Sequence, residues 1–169
     1  GYISNASGPC VFADTDLLYL FGLLNSVVSQ KLLEILAPNM KFEVGQMALV
    51  PIIKKPSEKI NSLVKNTVDI ARKDWDSFEI SWDFQRHPLI RKVSTIAEAF
   101  DQWKTECSNR LNQMKANEEE LNDIFIGIYG LQDEIMPDVD ETEVTIYKAD
   151  LGRDIRSFIS YAVGCMFGR

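Results

Sequence analysis

The chain has 169 residues, 46% of them hydrophobic and 25% charged. That balance suits a globular domain and excludes a disordered chain. The net charge of -7 excludes a uniformly basic nucleic-acid-binding domain, but residues 118–143 hold ten acidic and no basic side chains, which leaves the remainder at +3.

Residues 1–13 carry two β-prone patches, at 2–3 and 10–12, able to pair across a turn rich in Asn, Ser, Gly and Pro. Asp14 or Thr15 caps a helix to about Leu36. Apolar residues cover so much of its circumference that burial against a sheet is expected, and Pro38 stops it. Alternation at Met40, Phe42 and Val44, then the run 49–53, predicts two short strands, with Pro51 at an edge because it has no N–H to donate.

After Pro56 the period changes. Ser57 caps a helix to about Asp76, with Ile60, Val64, Val68, Ala71, Trp75 and Phe78 on one face. Residues 79–91 form an aromatic connection, interrupted by Pro88. Val93, Phe100, Cys107, Met114, Leu121 and Ile128 then follow one another at intervals of seven, with Arg110 and Asn117 breaking the accompanying positions midway. A strict seven-residue repeat keeps one structural seam against a partner helix. Gly130 supplies the left-handed residue that ends it, so a helix over 93–129 would be about 55 Å long. An acidic loop, a short strand at 144–147 and a last helix, capped by Asp150 and running to about Phe167, complete the chain.

The predicted fold class is α+β, mostly α. A small β element with a buried helix (1–55) leads into a long antiparallel helical hairpin (56–130). An acidic loop and a C-terminal helix (131–169) pack on it. Gly1 in place of Met, and an end directly after an apolar run, predict a piece of a longer protein.

Several chemistries are excluded. One histidine, His87, cannot serve a site that needs two. Three dispersed cysteines form no CxxC pair and point to a reducing, cytoplasmic setting. No apolar run approaches a membrane span, and no secretory signal is visible. The D/E-x-K nuclease half-motif, the N/D-P-P-Y/F motif that holds a flipped base, Gly-x-Gly loops and G-x-S-x-G are all missing. Asp138, Asp140, Glu141 and Glu143 lack the glycine and terminal-Glu spacing of a calcium loop and read as a solvated acidic loop; no metal is expected. The helical spacing of Trp75, Phe78, Trp82, Phe84 and Trp103 favours core packing over base stacking. His87, among Arg86, Arg91 and Lys92, reads as a solvated basic turn.

Residues 18–26 (LYLFGLLNS) and 36–52 (LAPNMKFEVGQMALVPI) resemble the end of a target-recognition domain in large bacterial DNA methyltransferases. Ala37 and Gln46 stand where that family usually has Asn and Asp. Residues 73–87 (KDWDSFEISWDFQRH), 125–133 (FIGIYGLQD) and 154–169 (DIRSFISYAVGCMFGR) resemble the PglX-type adenine-specific DNA methyltransferases of BREX phage-resistance systems, relatives of type IIG restriction–modification enzymes. The resemblance implies a parent that uses S-adenosylmethionine to methylate the N6 of adenine in double-stranded DNA. The motifs for cofactor and catalysis are absent here, so this piece is expected to be non-catalytic, to hold no cofactor, and to serve as recognition-domain tail and helical spacer. Phosphate contacts are then expected at Lys41, Lys54, Lys55 and Lys59 near the sheet–helix junction. A second group is Arg86, His87, Arg91 and Lys92 at the hairpin turn. The alternative is a helical protein-interaction module: the same seam can pack between chains as a homo-oligomer, or dock another subunit of the defence system.

Overall fold

The computed structural model describes residues 10–12, 16–36 and 44–168. Among them are six helices: α1 Leu17–Leu24, α2 Val27–Leu36, α3 Val44–Met47, α4 Glu58–Trp75, α5 Ile96–Tyr129 and α6 Leu151–Met166. The chain is mostly helical, as expected, but no strand occurs among the described residues, which corrects the predicted β element. The expected patch at 2–3, the caps Asp14 and Thr15, the alternation at Met40 and Phe42, and Lys41 lie outside those residues.

The correction has a physical cause. Leu49 and Val50 close the turn after α3 by donating to Gln46 and Met47 carbonyls. From Pro51 to Lys55 the chain has no regular structure, and two tyrosine hydroxyls take the place of a neighbouring strand. Tyr129 donates to the Pro51 carbonyl and accepts from the Ile53 N–H at 3.4 Å. Tyr19 donates to the Ile53 carbonyl at 2.5 Å and accepts from the Lys55 N–H at 3.4 Å. A hydroxyl can do both at once, so alternate residues are satisfied without a ladder. The predicted strand at 144–147 ends the same way. Val144 and Ile146 alternate inward and are buried, but the Tyr147 N–H donates to the Asp74 carboxylate at 3.2 Å.

The single helix expected up to Leu36 divides into α1 and α2 at Asn25-Ser26. The Ser26 and Ser29 hydroxyls both donate to the Leu23 carbonyl, at 2.7 and 2.6 Å. Ser26 also accepts weakly from the Ser29 N–H at 3.5 Å, as a capping side chain does. The next free N–H, of Val27, donates to Asn122 Oδ1 at 2.9 Å. With no sheet to cover them, Leu17, Phe21 and Ile35 are exposed. Elsewhere the caps match the sequence. Ser57 accepts from the Ile60 N–H, Asp150 accepts from the Arg153 N–H, and Gly130 is left-handed at φ 69°. α5 starts three residues later than the seam, because Thr95 and Glu98 form a reciprocal cap on the backbone at Glu98 and Ser94.

The chain forms two compact units: residues 1–66 with 117–139, and residues 67–116 with 140–169. In the first, α1 meets α4 and α5 where Gly22 and Tyr19 approach Val64 and Phe125, α2 meets α5 through the Val27–Asn122 hydrogen bond, and Tyr19, Leu23, Val28, Ile60, Val64 and Phe125 are all buried. Gly22 lets α1 come close, since a Cβ there would stand 2.9 Å from Val64 Cγ2 and 3.4 Å from Phe125. Lys59 pairs with Glu120 at 2.6 Å, and Asn117 donates to Asn66 at 2.7 Å, so α4 and α5 run antiparallel in this unit. In the second unit Leu89, Ala99, Trp103 and Cys107 form a core, with Phe100, Ile155 and Phe158 around it. Of the seam residues, Cys107, Met114 and Leu121 are buried, while Val93, Phe100 and Ile128 are half-buried.

Candidate nucleic-acid interface

The site belongs to the second unit, where residues 76–95 connect α4 to α5. Successive turns hold the first part of this connection. Ser77, Phe78 and Ser81 donate their N–H groups three residues back, and the Ser81 hydroxyl donates to Asp76 at 2.6 Å while accepting from the Asp83 N–H. The result is a fixed turn with Trp82 at its tip, wholly exposed, beside exposed Ile80 and half-exposed Trp75. The expectation of core packing therefore fails for these two tryptophans. It holds for Trp103, while Phe78 and Phe84 pack edge-on against Tyr147 and Tyr161.

His87 is placed inside. Its Nδ1 accepts from the Leu89 N–H at 3.2 Å, and its ring lies 5.4 Å from Phe158 and 6.0 Å from Tyr161. Burial pushes its pKa down, against weaker upward pulls from Asp154 and Glu79, so the ring is neutral at neutral pH. Arg91 donates from Nε to the Pro88 carbonyl and grips both Glu106 oxygens, at 2.5 and 2.8 Å. The hydrogen bond from Arg91 is the main reason Glu106 sits below its ordinary range.

Deeper in the unit is a charged cluster. Asp154, buried, accepts from Trp103 Nε1 at 3.0 Å and from Arg153 Nε at 2.7 Å. The Arg110 guanidinium lies 4.7 Å over the Trp103 ring and 3.8 Å from Asp74. Desolvation pushes Asp74 up, although the Tyr147 N–H, Arg110 and Arg153 pull it down. Two buried atoms here have no hydrogen-bond partner, Asp74 Oδ1 and Arg110 Nε.

Above the cluster opens a cleft of about 580 Å³, where Lys73, Arg86, Arg91 and Arg110 supply four cations and Asp76 and Glu106 two carboxylates. It brings together three expected phosphate contacts, Arg86, His87 and Arg91; Lys92, exposed, is not among its lining residues. Lys54, Lys55 and Lys59 belong to the first unit, where Lys54 stands 3.8 Å from Asp16 and Lys59 is paired with Glu120. Sequence reasoning missed Lys73 and Gln102, and treated Arg110 only as a break in the seam. That break was the available signal, since a cation within an apolar stripe needs a partner. Among the described residues no three His, Cys, Asp or Glu side chains are grouped to hold a metal, and no helix is long and apolar enough to cross a membrane.

No family model matches the chain. It is 42% identical, along its whole length, to the adenine-specific methyltransferase PglX of Lacticaseibacillus casei. It is 25% identical, again throughout, to the adenine-specific methyltransferase BrxX of Escherichia coli. The chain spans about 15% of the length of each of these curated relatives.

Proposed function

Starting from a chain similar to the PglX-type adenine-specific methyltransferases at every part of its length, we propose that it is a non-catalytic recognition and spacer segment of a phage-defence enzyme that methylates adenine N6 in double-stranded DNA. The observation that carries this reading is α5, 34 residues of unbroken helix that contribute to both compact units. At 1.5 Å per residue it is about 51 Å long. Methylating a stacked base requires extruding it from the duplex, and an enzyme that does so benefits from rigid elements that keep backbone contacts at fixed separation.

S-adenosylmethionine would be held by the rest of such an enzyme. The cleft of this chain is a poor seat for it, because four cations repel a sulfonium. Phosphate contacts fall to cations without an acidic partner among the described residues: Lys55 in the first unit, Arg86 and Lys92 in the second. Lys54 and Lys59 keep carboxylate neighbours. Arg91 and His87 support the turn that presents Arg86.

The test is binding of a DNA duplex at low salt, with Lys55, Arg86 and Lys92 reversed to Glu. These side chains are exposed, so the fold should persist. The triple variant should lose most of its affinity and flatten the salt dependence by about three charges. Unchanged binding would refute the reading.

A second reading is favoured by one observation. Trp82 and Ile80 are exposed beside Glu79 and Asp83, a setting that suits a protein partner with a basic rim better than it suits DNA. It predicts a stable oligomer or a subunit complex by light scattering, with no salt-sensitive duplex binding.

A further inference from the structure

We propose that the cleft of the second unit is a phosphate-binding site, in which one phosphate group is held by Lys73, Arg86, Gln102 and Arg110. Only the owner of that phosphate, a nucleic-acid backbone, rests on the functional reading above; the site itself rests on three observations.

The first is uncancelled charge. Four cations and two carboxylates line the cleft; Arg91 is taken up by Glu106, Arg110 by Asp74 behind the wall, and Asp76 accepts from the Ser81 hydroxyl, so the charge left over is that of Lys73 and Arg86. Lys73 and Arg86 line the same space and have no acidic partner among the described residues. The second is a missing acceptor. Arg110 uses its terminal nitrogens on the Lys73 carbonyl, the Ser77 hydroxyl and Cys107 sulfur, and its buried Nε donates to nothing. Burying a donor without a partner is unfavourable; Nε is closed to solvent and lies beside the equally unpartnered Asp74 Oδ1, so a bound oxyanion would supply its acceptor through a small shift of the guanidinium toward the cleft. The third is rigidity. The bidentate Arg91–Glu106 pair and the Trp103–Asp154 hydrogen bond fix two sides of the cleft, so little ordering is left for a ligand to impose.

The donors select the ligand. Three cationic side chains from α4, the connecting turn and α5, together with the Gln102 amide, suit a tetrahedral anion with several acceptor oxygens better than a planar carboxylate with two. A cleft of about 580 Å³ admits a phosphate with an attached sugar.

The experiment is a proton–nitrogen NMR titration of the chain with inorganic phosphate, using sodium chloride at matched ionic strength as the control. The Arg110 Nε–H and Gln102 side-chain amide signals should move saturably with phosphate and stay still with chloride. Lys73→Gln and Arg86→Gln, both at exposed positions, should each weaken the apparent affinity about tenfold, the scale of one charge-assisted hydrogen bond. Gln102→Glu should abolish the response. Backbone amide spectra of the variants report whether the fold is kept. Signals that do not move, or that move equally in all variants, would overturn the site. A short duplex is the second arm. Displacement of phosphate at these same signals identifies a DNA phosphodiester as the ligand. Phosphate saturation with no effect of duplex keeps the site, assigns it to a free phosphomonoester, and removes DNA from this face. Duplex binding with Arg110 and Gln102 silent leaves the DNA reading standing and sinks the site.

Discussion

The two units bury different kinds of polar group. Among the described residues of the first, the buried polar ones are Ser26, Ser29, Asn117 and Asn122, all uncharged. In the second they are Asp74, Ser81, His87 and Asp154, three of which can carry charge. Both units interrupt the apolar seam of α5 once, and each interruption meets α4. In the first the contact is amide to amide, Asn117 to Asn66; in the second it is guanidinium to carboxylate, Arg110 to Asp74. A neutral pair fixes register whatever the pH. A buried ion pair costs desolvation and ties its unit to the protonation state of its members. The first unit therefore reads as scaffold. The second carries buried charges whose desolvation is a cost to its fold.

The largest expected effect lies in the scaffold. Phe125 is wholly buried, edge-on to Tyr19 at 5.4 Å and against the face of Gly22. Phe125→Ala should cost about 3–5 kcal/mol, measured by urea unfolding, and the cost should be the same at neutral and mildly acidic pH. A pH-dependent cost would break the contrast between the units.

Next comes the buried pair. Arg110→Met leaves Asp74 charged and uncompensated, at a cost of about 3 kcal/mol. Because desolvation already raises Asp74, acidification should partly rescue this variant: a folded pKa above the unfolded one means the folded state binds the proton first, so stability is gained as pH falls through the folded value toward the unfolded one. Arg110→Met with Asp74→Asn should recover most of the loss. A double variant no better than the single would show that the two residues are not coupled.

A smaller effect belongs to His87, the single histidine of the chain. Its folded pKa is lowered from 6.5, so below 6.5 the unfolded chain binds a proton that the folded one refuses. Stability should fall as pH drops from 6.5 toward the folded value, by at most about 1.4 kcal/mol per pH unit. Hydrogen exchange should show it at α6 amides, beside Phe158 and Tyr161, and not at α2 amides. His87→Asn keeps an acceptor for the Leu89 N–H at the position of Nδ1 and should flatten the profile. A profile unchanged by this substitution would assign the acid sensitivity elsewhere.

The sequence made the helices legible because their signals are local. Ser57, Asp150 and Gly130 act within their own turns, and the seven-residue seam marks buried positions at Cys107, Met114 and Leu121. The false strands had a local signal as well: residues 49–53 form an apolar run, and Val144 and Ile146 alternate. A strand is defined by its partner, however, and these partners are the hydroxyls of Tyr19 and Tyr129 and the carboxylate of Asp74, distant in sequence and unmarked by any pattern. The cleft was half legible for the same reason. Arg86, His87 and Arg91 are neighbours in sequence, whereas Lys73 and Arg110 reach it from two different helices.

The smallest effect separates function from fold. Trp82 is wholly exposed at the tip of a turn held by Ser81, Asp76 and Asp83. Trp82→Ser should therefore change stability by less than about 0.5 kcal/mol. If the second unit grips DNA alone, duplex affinity should also be unchanged, since the nearby Glu79 and Asp83 carboxylates repel phosphate. If the unit docks a protein, this one substitution should dissolve the assembly seen by light scattering, as loss of a central aromatic anchor does. A variant that weakens duplex binding without altering assembly would place the indole against a base and extend the DNA face across the acidic rim.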